Sequence, residues 1–165
     1  MEQALFSPSI ATLPTHARVW VYKSAMPFTA EQRALILERG RGFTASWATH
    51  GKPLAAVLDV LLDHFVVLSV DQEQAMASGC SIDKSVQFIR DLEIDLGLPL
   101  TDRMVVLYET EATIKTCRVQ EVPDLLQRGV LDAGTTVFDD LVSTKGDLDT
   151  RFRVRLQDTW LSRYL

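Results

Sequence analysis

Apolar residues recur along this chain at intervals that switch between strand-like density and helical spacing. "RVWVYK" (Arg18–Lys23) is dense in β-branched and aromatic side chains, which predicts a first strand. Pro27 then breaks the chain, and Thr29 with Gln32 three residues later is a capping-box signature for a helix reaching about Thr49. That helix would bury Leu35, Ile36, Phe43 and Trp47, with Gly40 and Gly42 each weakening it by ~1 kcal/mol relative to Ala. Gly51 supplies a left-handed stop. "LAAVLDVLLD" and "FVVLSV" are almost continuously apolar, which predicts two central strands joined by a tight turn near Asp63 and His64. Ile82, Val86, Ile89, Leu92 and Leu96 then recur at steps of four, three, three and four, one face of a helix from about Ser81 to Leu96. Gly97 closes it and Pro99 prevents its continuation. "RMVVLYE" (Arg103–Glu109) reads as a strand, with "TIKTCRV" (Thr113–Val119) as its hairpin partner.

The order up to Glu109 is β-α-β-β-α-β, which predicts an α+β class protein with a ferredoxin-like core over residues 18–109. Right-handed crossovers would stack both helices on one face of a four-stranded antiparallel sheet. Residues 110–165 form a C-terminal α/β elaboration: a short helix from Pro123 to Gly129, a strand in "TTVFDDLV", and a strictly alternating "RFRVRL" (Arg151–Leu156). Residues 1–17, with Pro8 and Pro14 and no clear period, read as an N-terminal arm, and 18–165 as a single domain.

The charge balance narrows the function classes. With 17 basic and 22 acidic residues the net charge is −5, which argues against extensive nucleic-acid binding. No apolar run approaches the ~20 residues of a membrane-spanning helix, so no membrane insertion is expected. The start at Met1 lacks a basic region followed by an apolar one, so no signal peptide is read. Two cysteines, Cys80 and Cys117, are too few for a disulfide scaffold, and the expected setting is the cytoplasm with reduced thiols.

The chemistry concentrates in "ASGCSIDKSV" (Ala77–Val86), where a small turn runs into the second helix. In the expected topology the "HGKPL" turn (His50–Leu54) reaches the same end of the sheet, gathering His50, Lys52, Ser78, Gly79, Cys80, Ser81 and Lys84. The helix start offers free N–H groups and partial positive charge, Gly79 permits close approach, and the hydroxyls and lysines suit a phosphate or carboxylate. Capping alone accounts for the same composition. Cys80 beside cations has a route to a lowered pKa, and His50 within hydrogen-bond reach would make a Cys–His pair. Cys117, inside a strand, reads as packing. His16, His50 and His64 show no metal-ligand spacing with the cysteines, so neither metal nor cofactor is expected. No phosphate-binding G-x-x-x-x-G-K-[ST] loop and no G-x-S-x-G elbow occur. Arg151, Arg153 and Arg155 would line one face of a strand, either docking an acidic partner or pairing internally with Asp139, Asp140, Asp147 and Asp149.

Several stretches together resemble one family: "VWVYKS" with "PFT", "HGKPL", "ASGCSIDKSV", "DRM", "VFDDLVSTK" and "DTWLSRYL", spanning about Arg18 to the C-terminus. The chain is similar to small bacterial proteins, found chiefly among Bacteroidetes, that carry the label "ABC transporter ATPase". An ABC ATPase needs a P-loop, an LSGGQ-like signature and a Walker B strand, and this chain has none of them. The resemblance therefore implies no established activity, and no ATPase residue carries over. Two functions stand: a small binding or interaction domain, with a regulatory role left open, for a small anionic ligand or protein partner, or an enzyme using Cys80 or the same anion pocket on a phosphorylated or carboxylated substrate.

Overall fold

A computed structural model describes residues 8–165 apart from residue 74. Of the expected arm, residues 1–7 lie outside the described residues. The remainder is tied into the fold: a short helix α1 (Pro8–Ala11) places Ile10 in the core, and Ala17 is fully buried.

Strand β1 (Arg18–Lys23) is followed by helix α2 (Ala30–Ser46), whose capping box forms between Thr29 and Gln32 as the sequence predicts. The helix ends three residues earlier than expected. Trp47 turns to extended backbone, and β2 (Ala48–Thr49) pairs with β3 (Lys52–Pro53) across a tip in which His50 and Gly51 have φ of 47° and 79°. Strands β4 (Ala55–Leu61) and β5 (Phe65–Asp71) follow, then helix α3 (Gly79–Leu96), closed by Gly97 in the left-handed region. Beyond it come β6 (Val105–Thr110), β7 (Thr113–Arg118), α4 (Val122–Gln127), β8 (Thr136–Phe138), α5 (Lys145–Arg151) and β9 (Arg153–Arg155). Two 3-10 turns end the chain, the second over Trp160–Tyr164.

The α+β class holds, but the expected four-stranded sheet does not form. One sheet has three strands in the order β1-β5-β4, and β6 joins a separate sheet ordered β7-β6-β8-β9. Two causes are visible. The outer edge of β1 is occupied at both ends: Val19 N–H donates to the Ser143 carbonyl (2.9 Å) and Lys23 N–H to the Leu100 carbonyl (3.2 Å). Strand β6, meanwhile, is claimed on one side by its hairpin partner β7 and on the other by β8.

Strand alternation then builds layers. On β5, Val66 packs with Ile36 of α2 and Ile89 and Leu92 of α3, whereas Phe65 and Val67 pack on the opposite side. On β6, Val105 and Leu107 join Phe65 and Val67, while Val106 and Tyr108 face Val122, Leu156 and Leu161. The order is therefore α2 and α3, the three-stranded sheet, the second sheet, and finally α4 with the C-terminal turns. Phe65, Phe138 and Phe152 meet between the sheets with ring centroids 4.9–5.5 Å apart, which binds β5 to the C-terminal third.

Candidate functional site

At the start of α3 the side chains of "SGCS" largely satisfy one another. Ser78 is the N-cap, its Oγ accepting from Ser81 N–H (3.3 Å), while Ser81 Oγ accepts from Ser78 N–H (2.7 Å). Ser81 is fully buried, and its carbonyl accepts from the Trp47 indole N–H (2.8 Å). That bond brings the end of α2 to the beginning of α3. The amides of Gly79 and Cys80 have no hydrogen bond to a described residue, and Cys80 is exposed. Lys52, Lys84 and His50 are exposed as well, and neither lysine forms an ion pair with a described residue. No hydrogen bond links His50 to Cys80 among the described residues. Cys117 is buried, and burial together with the negative charge of Glu121 pushes its thiol up to about 11.

The arginine face expected on "RFRVRL" does not form. Residues 145–151 are helical, so Arg151 closes α5 and only Arg153 and Arg155 lie on β9. All three pair internally, though with other carboxylates than most of those expected: Arg151 with Asp147 (3.9 Å), Arg153 with Glu109, and Arg155 with Asp158 (3.0 Å).

A concavity lies elsewhere, where the two sheets meet beside the Lys23 end of β1. It is a cleft of about 480 Å³ reached by β1, the segment 100–103, the start of β6, the end of β8 and the last 3-10 turn. Its apolar lining includes Val21, Leu100, Val105, Phe138, Leu141 and Trp160. Leu141 and Trp160 remain 69% and 40% exposed, so apolar surface stays open to solvent there. Tyr22 also lines the cleft, and burial raises its hydroxyl pKa.

Four charged residues complete the lining, and three already have partners. Lys23 pairs with Asp140 (3.0 Å), with both side chains largely buried. Asp102 pairs with Arg118 (2.9 Å), and that hydrogen bond, followed by one from Met104 N–H, lowers its carboxyl pKa. Arg103 has no ion pair or hydrogen bond with a described residue. Among the described residues the cleft thus joins an apolar wall to one charged residue without a partner, the exposed Arg103. Sequence reading misses it because its residues come from several distant segments, and their periodicities report only on packing within each element. Leu141 and Trp160 are exposed in the fold, as Val130 and Leu165 are, and nothing in their sequence spacing marks the first two as lining residues. Comparison with family models, with curated proteins and with solved structures finds no match to this chain.

Proposed function

We propose that the protein is a binding domain and that the cleft between its sheets holds the ligand, a small molecule with an apolar body and an anionic head. The observation that carries this reading is that Arg103 has no charged partner among the described residues, in a cleft where Lys23, Asp102 and Asp140 are neutralised by partners. A few placed polar groups in a mainly apolar concavity are what such sites require. The apolar body would lie against Val21, Leu141 and Trp160, and the guanidinium would take a carboxylate or sulfonate with paired N–H donors. Titration with anilinonaphthalene sulfonate, which has both parts, tests the reading. Saturable fluorescence enhancement by the native protein is expected, weakened by Arg103→Ala and by Trp160→Ala; enhancement indifferent to both variants contradicts it.

A second anion-accepting edge at Ser78–Ser81 is favoured by a separate observation. The Gly79 and Cys80 amides are unpaired among the described residues, and Lys84, one turn along α3, has no ion-pair partner there. This edge suits a compact anion such as phosphate rather than an amphipathic one. The Cys–His form of the enzymatic alternative gains no support, since no hydrogen bond links His50 and Cys80 among the described residues.

A further inference from the structure

We propose that His16, Asp71 and Glu73 form a site for one divalent transition-metal ion, with Zn²⁺ the ion whose geometry they fit best. The proposal is independent of the cleft. His16 Nε2 lies 3.5 Å from Asp71 Oδ1 and 3.7 Å from Glu73 Oε1, and the three donor atoms are all within 4.8 Å of one another. An ion held at ~2.0–2.2 Å by each donor of a tetrahedron sets its donors roughly 3.3–3.6 Å apart. Two of the separations are already close to that range. The third, between the two carboxylates, lies within 4.8 Å, and the 70% exposed Glu73 side chain has room to adjust it.

The arrangement follows from where the strands begin and end. Arg18, at the start of β1, pairs with Val70, so the turn that carries His16 into β1 lies beside Asp71 and Glu73, where the chain leaves β5. The backbone around His16 is fixed on both sides. Ala17 N–H donates to the Pro14 carbonyl (3.0 Å), and the Ala17 carbonyl accepts from Lys145 N–H (2.8 Å). Among the described residues neither Asp71 nor Glu73 pairs with a lysine or arginine; the nearby Arg18 guanidinium lies instead over the Trp20 ring, 4.7 Å from its centroid. Two carboxylates and a neutral imidazole balance a dication. An imidazole donor favours zinc-like ions over Mg²⁺ or Ca²⁺, which prefer oxygen alone. Three protein donors leave the fourth position to water. Spacing along the chain conceals the set, since 55 residues separate His16 from Asp71.

Calorimetric titration of the full chain with ZnCl₂ at neutral pH, with NMR of the three histidines, tests the site. One Zn²⁺ per chain is expected, with the imidazole signals of His16 shifting and those of His50 and His64 unchanged. His16→Ala and Asp71→Asn should each weaken binding by roughly tenfold or more, the loss seen even for groups that only support a ligand. Melting in the presence of a chelator establishes that the variants are folded, as expected for substitutions near the surface. Absence of binding at millimolar Zn²⁺, undiminished binding by folded His16→Ala, or a shift centred on His50 would each overturn the proposal.

Discussion

A Cβ built on Gly40 would lie 2.6 Å from Leu58 Cδ2 and 3.1 Å from Leu58 Cβ and Cγ, whereas one built on Gly42 meets nothing within 4 Å. Both glycines read alike in the sequence, as weak points in a helix. Only the packing of α2 on β4 separates them. Gly40→Ala should therefore destabilise by about 1–3 kcal/mol through overpacking, despite its gain in helix propensity. Gly42→Ala should stabilise by roughly 0.5–1 kcal/mol. Chemical denaturation of the two variants checks both signs. The cysteines offer a second contrast. Cys80 is exposed, while burial and Glu121 hold the Cys117 thiol at about 11. Since the thiolate is the reactive form, iodoacetamide at slightly alkaline pH should alkylate Cys80 much faster than Cys117. Peptide mass spectrometry over a labelling time course reads the ratio, and equal rates would contradict the assignment.

At the scale of elements, α3 shows how far periodicity reaches. Its boundaries follow from Ser78 and Gly97, and Ile89 and Leu92 are buried as their spacing requires. In its first half the buried positions are instead Ser81 and Ser85, with Ile82 and Val86 half-buried. The small residues admit Trp47, which bonds to the Ser81 carbonyl, a tertiary contact that no helical period encodes. The same limit hides α5, because "RFRVRL" alternates like a strand while its first residue completes a helix capped by Thr144. The cap of α3 separates two readings of its opening turn. Ser78→Ala should cost ~1 kcal/mol with or without phosphate, as any lost N-cap does. Lys84→Ala should leave ligand-free stability within about 0.5 kcal/mol and reduce only the stabilisation that phosphate confers. Thermal melts with phosphate titrated at constant ionic strength make the comparison, and a wild type indifferent to phosphate would leave this turn as a cap alone.

For the whole molecule, the order β-α-β-β-α-β of the main elements and the β6–β7 hairpin were readable from the sequence, but α1, the short β2–β3 hairpin and the pairing of β6 with β8 in place of β1 were not. That choice depends on residues far away: Ser143 and Leu100 occupy the edge of β1, and Phe138 and Phe152 fill the space between the sheets. Phe152 is fully buried at this junction, so Phe152→Ala should destabilise by about 3–5 kcal/mol in denaturant titration, as large core truncations do. The displacement of β6 into a second sheet also creates the cleft, since β1 and β6 contribute lining from different sheets. The candidate site is thus a consequence of the least readable part of the fold, and the sequence drew attention to α3 instead. Among the described residues no helix is long and apolar enough to cross a membrane. The central claim, that the cleft takes an amphipathic anion, is tested most directly by titrating isotopically labelled protein with decanoate and mapping the amide shifts. The largest saturable shifts should fall on residues 21–23, 100–106, 138–141 and 160–161, the segments that line the cleft, and Arg103→Ala should weaken them. Shifts confined to residues 78–84, or none that saturate, would contradict it.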